Sequence, residues 1–228
     1  MKKKAIEKAF RQSLAILPGY MVLGTGFGVL MISKGFSVLH CFLMSAFIYA
    51  GSMQYAGVDL LSLPATIINT AMMTIMVNIR HLFYGVAMIS RYQDLKHHKI
   101  YDIFALTDET FSIACNADTE GLDEDSYYFA LSAFNHLYWI SGTMIGALLG
   151  DILPFDYTGI DFSMTALFIV IVLDQWENSK DHLIVILSFV ISVLCLVAFG
   201  RSDFLLPTMI GIVIMLMVLR GRKGEKDV

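Results

Sequence analysis

The stretch that most constrains this chain runs from Pro64 to Ser90, where an apolar sequence carries polar and charged residues at its centre. At about 1.5 Å of helical rise per residue, it is long enough to cross a bilayer. Its middle nevertheless holds Asn78, Arg80 and His81. An arginine at mid-bilayer costs roughly 3 kcal/mol, so it needs a partner or a wet cavity. Two interpretations are open: a buried ion pair that fixes helix packing, or a polar site inside a membrane-embedded bundle.

The composition supports a membrane location for the whole chain. Hydrophobic residues make up 57% of the 228 positions and the mean hydropathy is +0.67, whereas a soluble domain is about 45–50% apolar. Cys41, Cys115 and Cys195 are scattered without metal-binding spacing, and no basic patch with interleaved aromatics points to nucleic acid. The sequence therefore predicts one all-α, polytopic transmembrane domain over residues 1–228.

Apolar segments recur along the chain and predict the membrane crossings. Seven are clear, at 14–32, 37–57, 64–90, 126–150, 162–174, 183–199 and 203–220. An eighth, 100–115, is short and charged, and is predicted to be either a short crossing or a re-entrant helix. Another open interpretation is that segments 64–90 and 126–150 are both re-entrant, because this topology places more lysine and arginine residues on the cytoplasmic side. Lysines and an arginine before the first segment predict a cytoplasmic N-terminus (Lys2, Lys3, Lys4, Lys8 and Arg11).

Glycine and proline mark positions where these helices are predicted to be discontinuous. Pro18 and Gly19 lie early in the first segment, and Gly24 and Gly51 follow. Gly24 also forms a G-x-x-x-G pair with Gly28, which allows close helix contact. Helix breaks that free backbone groups for a solute and simple packing are both open interpretations of these residues.

An internal repeat is indicated by two short matches. Residues 20–30 resemble residues 138–148 at an offset of 118, and residues 42–46 resemble 162–166 two residues out of step. Their consistent order predicts duplicated halves, about 10–90 and 128–200. Repeats related by a pseudo-twofold axis are typical of secondary transporters, which bind their solute between the halves.

Polar residues at membrane depth are the candidate functional groups. Predicted substrate-binding residues are Gln54, Asn78, Arg80, His81 and Asn135, and predicted proton-coupling residues are Asp108 and Glu109. A zwitterionic solute needs a cation for its carboxylate and an acceptor for its ammonium group, and a desolvated carboxylate can change its protonation between access states. The alternative is that Arg80 only neutralises one of the two carboxylates.

Enzyme signatures are missing from the sequence. It contains no H-E-x-x-H, G-x-S-x-G or G-x-x-x-x-G-K-[ST] motif, so we expect neither enzymatic activity nor a cofactor or metal. A passive channel or uniporter for a small solute, and a structural subunit that does not transport, are the rival hypotheses to a coupled transporter.

Several motifs occur together in this chain: the run 78–85, Pro18-Gly19 with the glycines after it, 45–47 leading to 50–54, 107–111, and Asp161-Phe162 ahead of 166–168. In this combination they resemble the motifs of the AzlC family, the large subunits of branched-chain amino-acid exporters. The resemblance implies an exporter of leucine, isoleucine and valine, with methionine as a further candidate, in the cell membrane. It also implies an ion gradient as the energy source and a small AzlD-like membrane subunit as the partner.

Overall fold

The computed structural model describes residues 1–62, 66–152 and 182–224, with six further residues (Phe162, Ile169, Val172, Leu173, Trp176 and Glu177). These residues form ten α-helices and no strand, which confirms the all-α prediction. The helices are α1 (Lys2–Ser13), α2 (Leu17–Ser33), α3 (Val38–Phe47), α4 (Gly51–Ser62), α5 (Ile67–Tyr92), α6 (Lys99–Phe104), α7 (Asp108–Ala114), α8 (Glu124–Ile152), α9 (His182–Asp203) and α10 (Leu205–Gly224). The segment predicted at 162–174, and the repeat match within it, lie almost entirely outside the described residues.

The chain divides into two compact units, 1–165 and 166–228. In the second unit α9 packs on α10, where Gly211 lies against Ile191. The first unit contains α1 to α8 and all the candidate site residues. The prediction of one transport domain over 1–228 stays a prediction.

Two helices in the described part of the chain are long and apolar enough to cross a membrane unaided. They are α5, over Thr70–Tyr92, and α9, over His182–Gly200. The pair α1–α2 makes a third if its 62° bend lies within one span. Exposed apolar side chains cover the middle of α5 and α9, which suits lipid contact rather than water. Because α5 and α8 are each one uninterrupted helix, neither is folded as a re-entrant loop.

The packing of α2 against α8 organises the first unit. Gly24 and Gly28 of α2 meet Gly142 and Gly146 of α8, so that the two backbones touch without side chains between them. Since the lower-numbered glycines pair together and the higher-numbered glycines pair together, the helices run in the same direction. The close contact expected from the Gly24–Gly28 spacing is confirmed.

The basic N-terminus is itself a helix that lies along the first half of α8. Ala5, Ala9 and Ser13 of α1 are fully buried, whereas Lys2, Lys3, Lys4 and Arg11 are exposed. Lys8 Nζ donates to the carbonyl oxygen of Asp118 at 2.6 Å, and the Tyr127 hydroxyl donates to Gln12 Oε1. The N-terminus and the start of α8 therefore lie at the same end of the unit.

Candidate functional site

Helices α3 and α4 form a hairpin, although the sequence reads as one apolar segment. Gln54 Nε2 donates to Ser45 Oγ at 3.3 Å, and Met44 lies beside Gly57. Residues this far apart along a straight helix would not touch, so the chain folds back between them. The turn contains Tyr49, whose φ of 42° is left-handed. This φ is uncommon for a residue other than glycine.

The turn leaves a backbone carbonyl of α3 available to α8. The amide of Tyr49 bonds to the Met44 carbonyl, so the Ser45 carbonyl is free to accept from His136 Nε2 at 3.1 Å. A carbonyl can only accept, so Nε2 carries the proton and Nδ1 accepts from the Tyr101 hydroxyl at 3.0 Å. The His136 ring also stacks on Tyr49 at a centroid distance of 4.1 Å. His136 thus holds the tip of the α3–α4 hairpin.

Helices α6 and α7 form a second hairpin, with both outer ends near the start of α8. Before α6, the amide of Lys96 donates to Asp125 Oδ1 at 2.9 Å. After α7, the carbonyl of Ala117 accepts from Arg91 Nη1 at 2.8 Å. The segment predicted at 100–115 to be a short crossing or a re-entrant helix is therefore two short helices that fold back on each other.

The two hairpins reach the middle of α8 from its opposite ends. The α6–α7 hairpin leaves the start of α8 and reaches Asn135, whose Nδ2 donates to Thr110 Oγ1 at 3.0 Å. The α3–α4 hairpin reaches the neighbouring His136 and extends the other way, so that Ser45 donates to Thr143 Oγ1 at 2.9 Å. The hairpin tips meet where Tyr49 lies against Phe104, with centroids 6.3 Å apart.

A salt bridge joins α5 to the second hairpin at this meeting point. Arg80 Nη1 lies 2.7 Å from Asp108 Oδ2, and Arg80 Nη2 donates to Ser52 Oγ at the start of α4. The side chains of Arg80 and Asp108 are 24% and 22% exposed, so the pair is half-buried. Asp108 Oδ1 and Asn78 Oδ1 are buried and accept no hydrogen bond within the described residues. The predicted pairing of Arg80 with a carboxylate is therefore seen, with Asp108 as the carboxylate.

The other predicted carboxylate, Glu109, joins a separate chain of hydrogen bonds. The Tyr20 hydroxyl donates to Glu109 Oε2 at 2.7 Å and lies 2.6 Å from Thr107 Oγ1. Thr107 caps α7 by accepting from the Thr110 amide, and Thr110 in turn receives the Asn135 bond. This network links α2, α7 and α8 beside the Arg80–Asp108 pair.

Gln54 is held in a third network, on the α8 side of the first hairpin. It is fully buried, its Oε1 accepts from Trp139 Nε1 at 2.9 Å, and its Nε2 donates to Ser45. Both ends of the amide are engaged without contact to Arg80. The structure thus brings together Asn78, Arg80, His81 and Asp108, places Glu109 and Asn135 next to them, and sets Gln54 apart.

A cavity of about 420 Å³ leads from the polar centre to one end of the unit. At its inner end lie Tyr49, Asn78 and His81, and at its outer end lie Gln93 and Lys99. The rest of the wall is largely apolar (Ile48, Met88, Ile89, Ile103, Phe104 and Leu106 among others). A volume in this range, with an apolar wall and a few polar groups, is typical of small-molecule sites.

The predicted helix-break residues lie in different settings. Pro18 and Gly19 are in the first turn of α2, just after the bend that separates it from α1. Gly51 begins α4 directly after the turn at Tyr49. Gly24 lies inside the uninterrupted α2, where its place against α8 is a packing contact.

Three site residues, Tyr20, Ser52 and Thr107, were not among the sequence predictions. Thr107 directly precedes two acidic residues and a helix, which is the pattern of an N-cap and could have been found. Ser52 and Tyr20 carry no such signal, because their roles depend on which helices meet. No group of three or more His, Cys, Asp or Glu side chains in the described parts of the chain could hold a metal ion.

The two helices long and apolar enough to span a bilayer, and the polar site between the hairpin tips of the first unit, are typical of a helical membrane protein. The chain belongs to the AzlC family, whose model matches residues 15–153. It is 39% identical over 225 residues to the branched-chain amino acid transport protein AzlC of Bacillus subtilis (strain 168), covering 98% of this chain and 89% of that protein.

Other relatives are named only by their location. An uncharacterized membrane protein of Helicobacter pylori (strain ATCC 700392 / 26695) is 38% identical over 218 residues, covering 95% of this chain and 96% of that protein. The inner membrane protein YgaZ of Escherichia coli (strain K12) is 28% identical over 179 residues, covering 75% and 73%. No solved structure matches the chain.

Proposed function

We propose that this protein exports branched-chain amino acids (leucine, isoleucine and valine, with methionine as a further substrate) across the cell membrane. Transport is driven by a proton gradient and needs a small AzlD-like membrane subunit. The observation that carries the proposal is the Arg80–Asp108 pair, two opposite charges placed between hairpin tips halfway along α5. Membership of the AzlC family and the name of the Bacillus subtilis relative support the substrate class.

The pair supplies the two charges that an amino acid needs. The substrate carboxylate binds Arg80 and the start of α4 at Ser52, where a twelve-residue helix presents the positive end of its dipole. The substrate ammonium group binds Asp108, with the carbonyl oxygen of the Asn78 side chain as a second acceptor. An arriving zwitterion thus replaces the internal ion pair with two intermolecular ones.

The cavity supplies a place for the aliphatic side chain, and its inner end, at Asn78 and His81, adjoins the part of α5 that carries Arg80. Its outer end, at Gln93 and Lys99, lies at the same end as the basic N-terminus, because Arg91 bonds to Ala117 and Lys8 to Asp118. Clustered positive charge is typical of the cytoplasmic side. The cavity is then the cytoplasmic entrance, which is where an exporter collects its substrate.

Two further predicted features belong to this proposal. Asp108 and Glu109 couple transport to protons, with Tyr20 as the hydrogen-bond partner of Glu109 and Thr107 as that of Tyr20. The proposal includes duplicated halves, and the matched segments 20–30 and 138–148 pack side by side and in parallel. His81, Asn135 and Gln54 complete the substrate-binding set, with Gln54 exchanging its bond to Ser45 or Trp139 for one to the solute.

The test is efflux of labelled leucine from vesicles that contain the protein and its small partner. We expect Arg80→Ala and Asp108→Asn each to abolish efflux, since each leaves one charge of the substrate unmatched. The matched controls are Arg11→Ala and Glu7→Gln, which remove the exposed ion pair of α1 and should leave efflux unchanged. Full efflux in both site variants would overturn the assignment.

The rival function, a passive channel or uniporter, predicts a different response to pH. An imposed proton gradient should accelerate export against a leucine gradient if transport is coupled. Flux that follows only the leucine gradient, whatever the pH on the two sides, would favour the uniporter.

A further inference from the structure

Asp102 is a buried acid that the proposed transport site does not use. It lies on α6 with no exposed surface. Neither carboxylate oxygen accepts a hydrogen bond from any residue in the described ranges. An ionised carboxylate in such a position costs several kcal/mol unless a cation or donors compensate it.

The groups around Asp102 are hydroxyls and another acid. Ser132 on α8 lies beside it, and Tyr92 on α5 is near enough to interact with its charge; the hydroxyls of both are also buried without a hydrogen-bond partner among the described residues. Asp125 on α8 and Tyr101 on α6 are the other titratable groups that interact with it. Three unsatisfied polar side chains from three helices therefore converge on one buried point.

The nearby basic residues are directed elsewhere. Arg91 Nη1 donates to the Ala117 carbonyl at 2.8 Å and to the Tyr128 hydroxyl at 3.2 Å, and Lys99 Nζ donates to the Gln93 carbonyl at 3.2 Å. Since no cation of the described chain faces Asp102, a proton on the carboxyl group is the simplest way to keep it neutral. A protonated Asp102 can donate to Ser132 after a small rotation of the side chain.

Tyr92 connects this buried point to the cavity. Its side chain lines the cavity wall, as does Ile103, the residue next to Asp102. We propose that Asp102 is a proton-binding site, distinct from the Arg80–Asp108 pair, that exchanges its proton with the cavity past Tyr92. Proton binding by Asp102 stands on these contacts alone, whereas its use in driving export rests on the proposed function.

The direct test is infrared difference spectroscopy of the purified full-length protein during a pH titration. At neutral pH we expect a carbonyl stretch from a protonated carboxyl group that shifts in D₂O and is lost in Asp102→Asn. The control, Asp94→Asn, removes an exposed carboxylate at the same end of the unit and should keep the band. Ser132→Ala should keep the band at a shifted frequency, which tests the assignment even if Asp102→Asn fails to fold.

Two outcomes would overturn the proposal. One is an Asp102→Asn spectrum that matches the unmodified protein at every pH. The other is a band that disappears on addition of sodium chloride at constant pH, which would make the group a sodium ligand. In vesicles that contain the Asp102→Asn variant, a proton gradient should no longer accelerate leucine export, but the exchange of internal for external leucine should continue. If Arg80→Ala transports normally while the infrared band persists, the proposed function fails and the proton site stands.

Discussion

Gly146 of α8 meets the backbone of Thr25 of α2 so closely that a Cβ atom on Gly146 would collide with the Thr25 carbonyl oxygen. The same relation holds in reverse, since a Cβ atom on Gly28 would collide with the Thr143 carbonyl. This contact is made by backbone on both sides, so a neighbouring side chain cannot move to relieve it.

We therefore expect Gly146→Ala to lower the free energy of unfolding by about 1–3 kcal/mol, the usual cost of overpacking a tight contact. The control is Gly19→Ala, because nothing lies within 4 Å of a Cβ atom at Gly19. Unfolding in mixed micelles, followed by circular dichroism, gives both values. Equal stability of the two variants would mean that α2 and α8 are not packed as described.

The α2–α8 contact was within reach of the sequence, whereas α1 was missed. A G-x-x-x-G spacing in an apolar segment has one common structural meaning, so Gly24 and Gly28 predicted a close helix contact without a named partner. The first thirteen residues were interpreted only through their positive charge, as a sign of a cytoplasmic N-terminus. Their i, i+4 spacing of small residues (Ala5, Ala9 and Ser13) was a helical signal that the charge obscured.

The predicted helix break at Gly51 lies beside the turn at Tyr49, but the sequence does not reveal that the chain folds back there into a hairpin. Residues 37–57 are largely apolar and contain no proline, and only Gly51 and Gly57 lower the helix propensity. The turn depends instead on long-range partners, since His136 donates a hydrogen bond to the Ser45 carbonyl, which the turn leaves without a partner in the helix. Local sequence cannot specify a bond to a residue ninety-one positions away.

The ion pair of the candidate site should show strong energetic coupling. Arg80→Ala and Asp108→Ala each leave one charge uncompensated, so each should destabilise the protein, by less than the about 3–5 kcal/mol of a fully buried pair. The double variant should lose less than the sum of the two, with a coupling energy of about 0.5–3 kcal/mol. The same cycle on Arg11 and Glu7, an exposed pair, should give about 0.5 kcal/mol or less. Additive losses at Arg80 and Asp108 would show that the bridge does not form in the membrane.

The charged residues of this site were predictable because charge inside an apolar segment demands a partner. Asp108 and Glu109 were the partners predicted for Arg80, and the structure pairs it with Asp108. The sequence could not separate the two, because they are adjacent at the start of α7 and point to different neighbours. The roles of the Tyr20 and Ser52 hydroxyl groups were not predictable, since a neutral side chain in an apolar helix does not need an oppositely charged partner.

His136 should be essential for the meeting of the two hairpins. His136→Ala removes bonds to the Ser45 carbonyl and to the Tyr101 hydroxyl, and leaving such groups buried without a partner costs about 1–3 kcal/mol each. His136→Phe keeps the aromatic contact with Tyr49 but loses both bonds, so it should recover only part of the stability. Thermal unfolding of the three proteins in detergent measures this order. If the phenylalanine variant is as stable as the unmodified protein, the hydrogen bonds do not hold the tips.

The positions of the loops around α6 and α7 predict which side of the membrane they reach. The amide of Lys96 is bonded to Asp125, and Asp118, two residues before Glu120, accepts from Lys8 of the N-terminal helix. All these groups lie at one end of the unit, so single cysteines at Lys96 and Glu120 should be labelled from the same side as one at Lys2.

The experiment replaces the three native cysteines by alanine. A membrane-impermeant maleimide should then label none of the introduced cysteines in intact cells and all of them after permeabilisation. A cysteine at Lys34, which follows α2, is the opposite control and should be labelled in intact cells. Labelling of Lys96→Cys and Glu120→Cys from different sides would mean that the chain between them crosses the membrane instead of forming the α6–α7 hairpin.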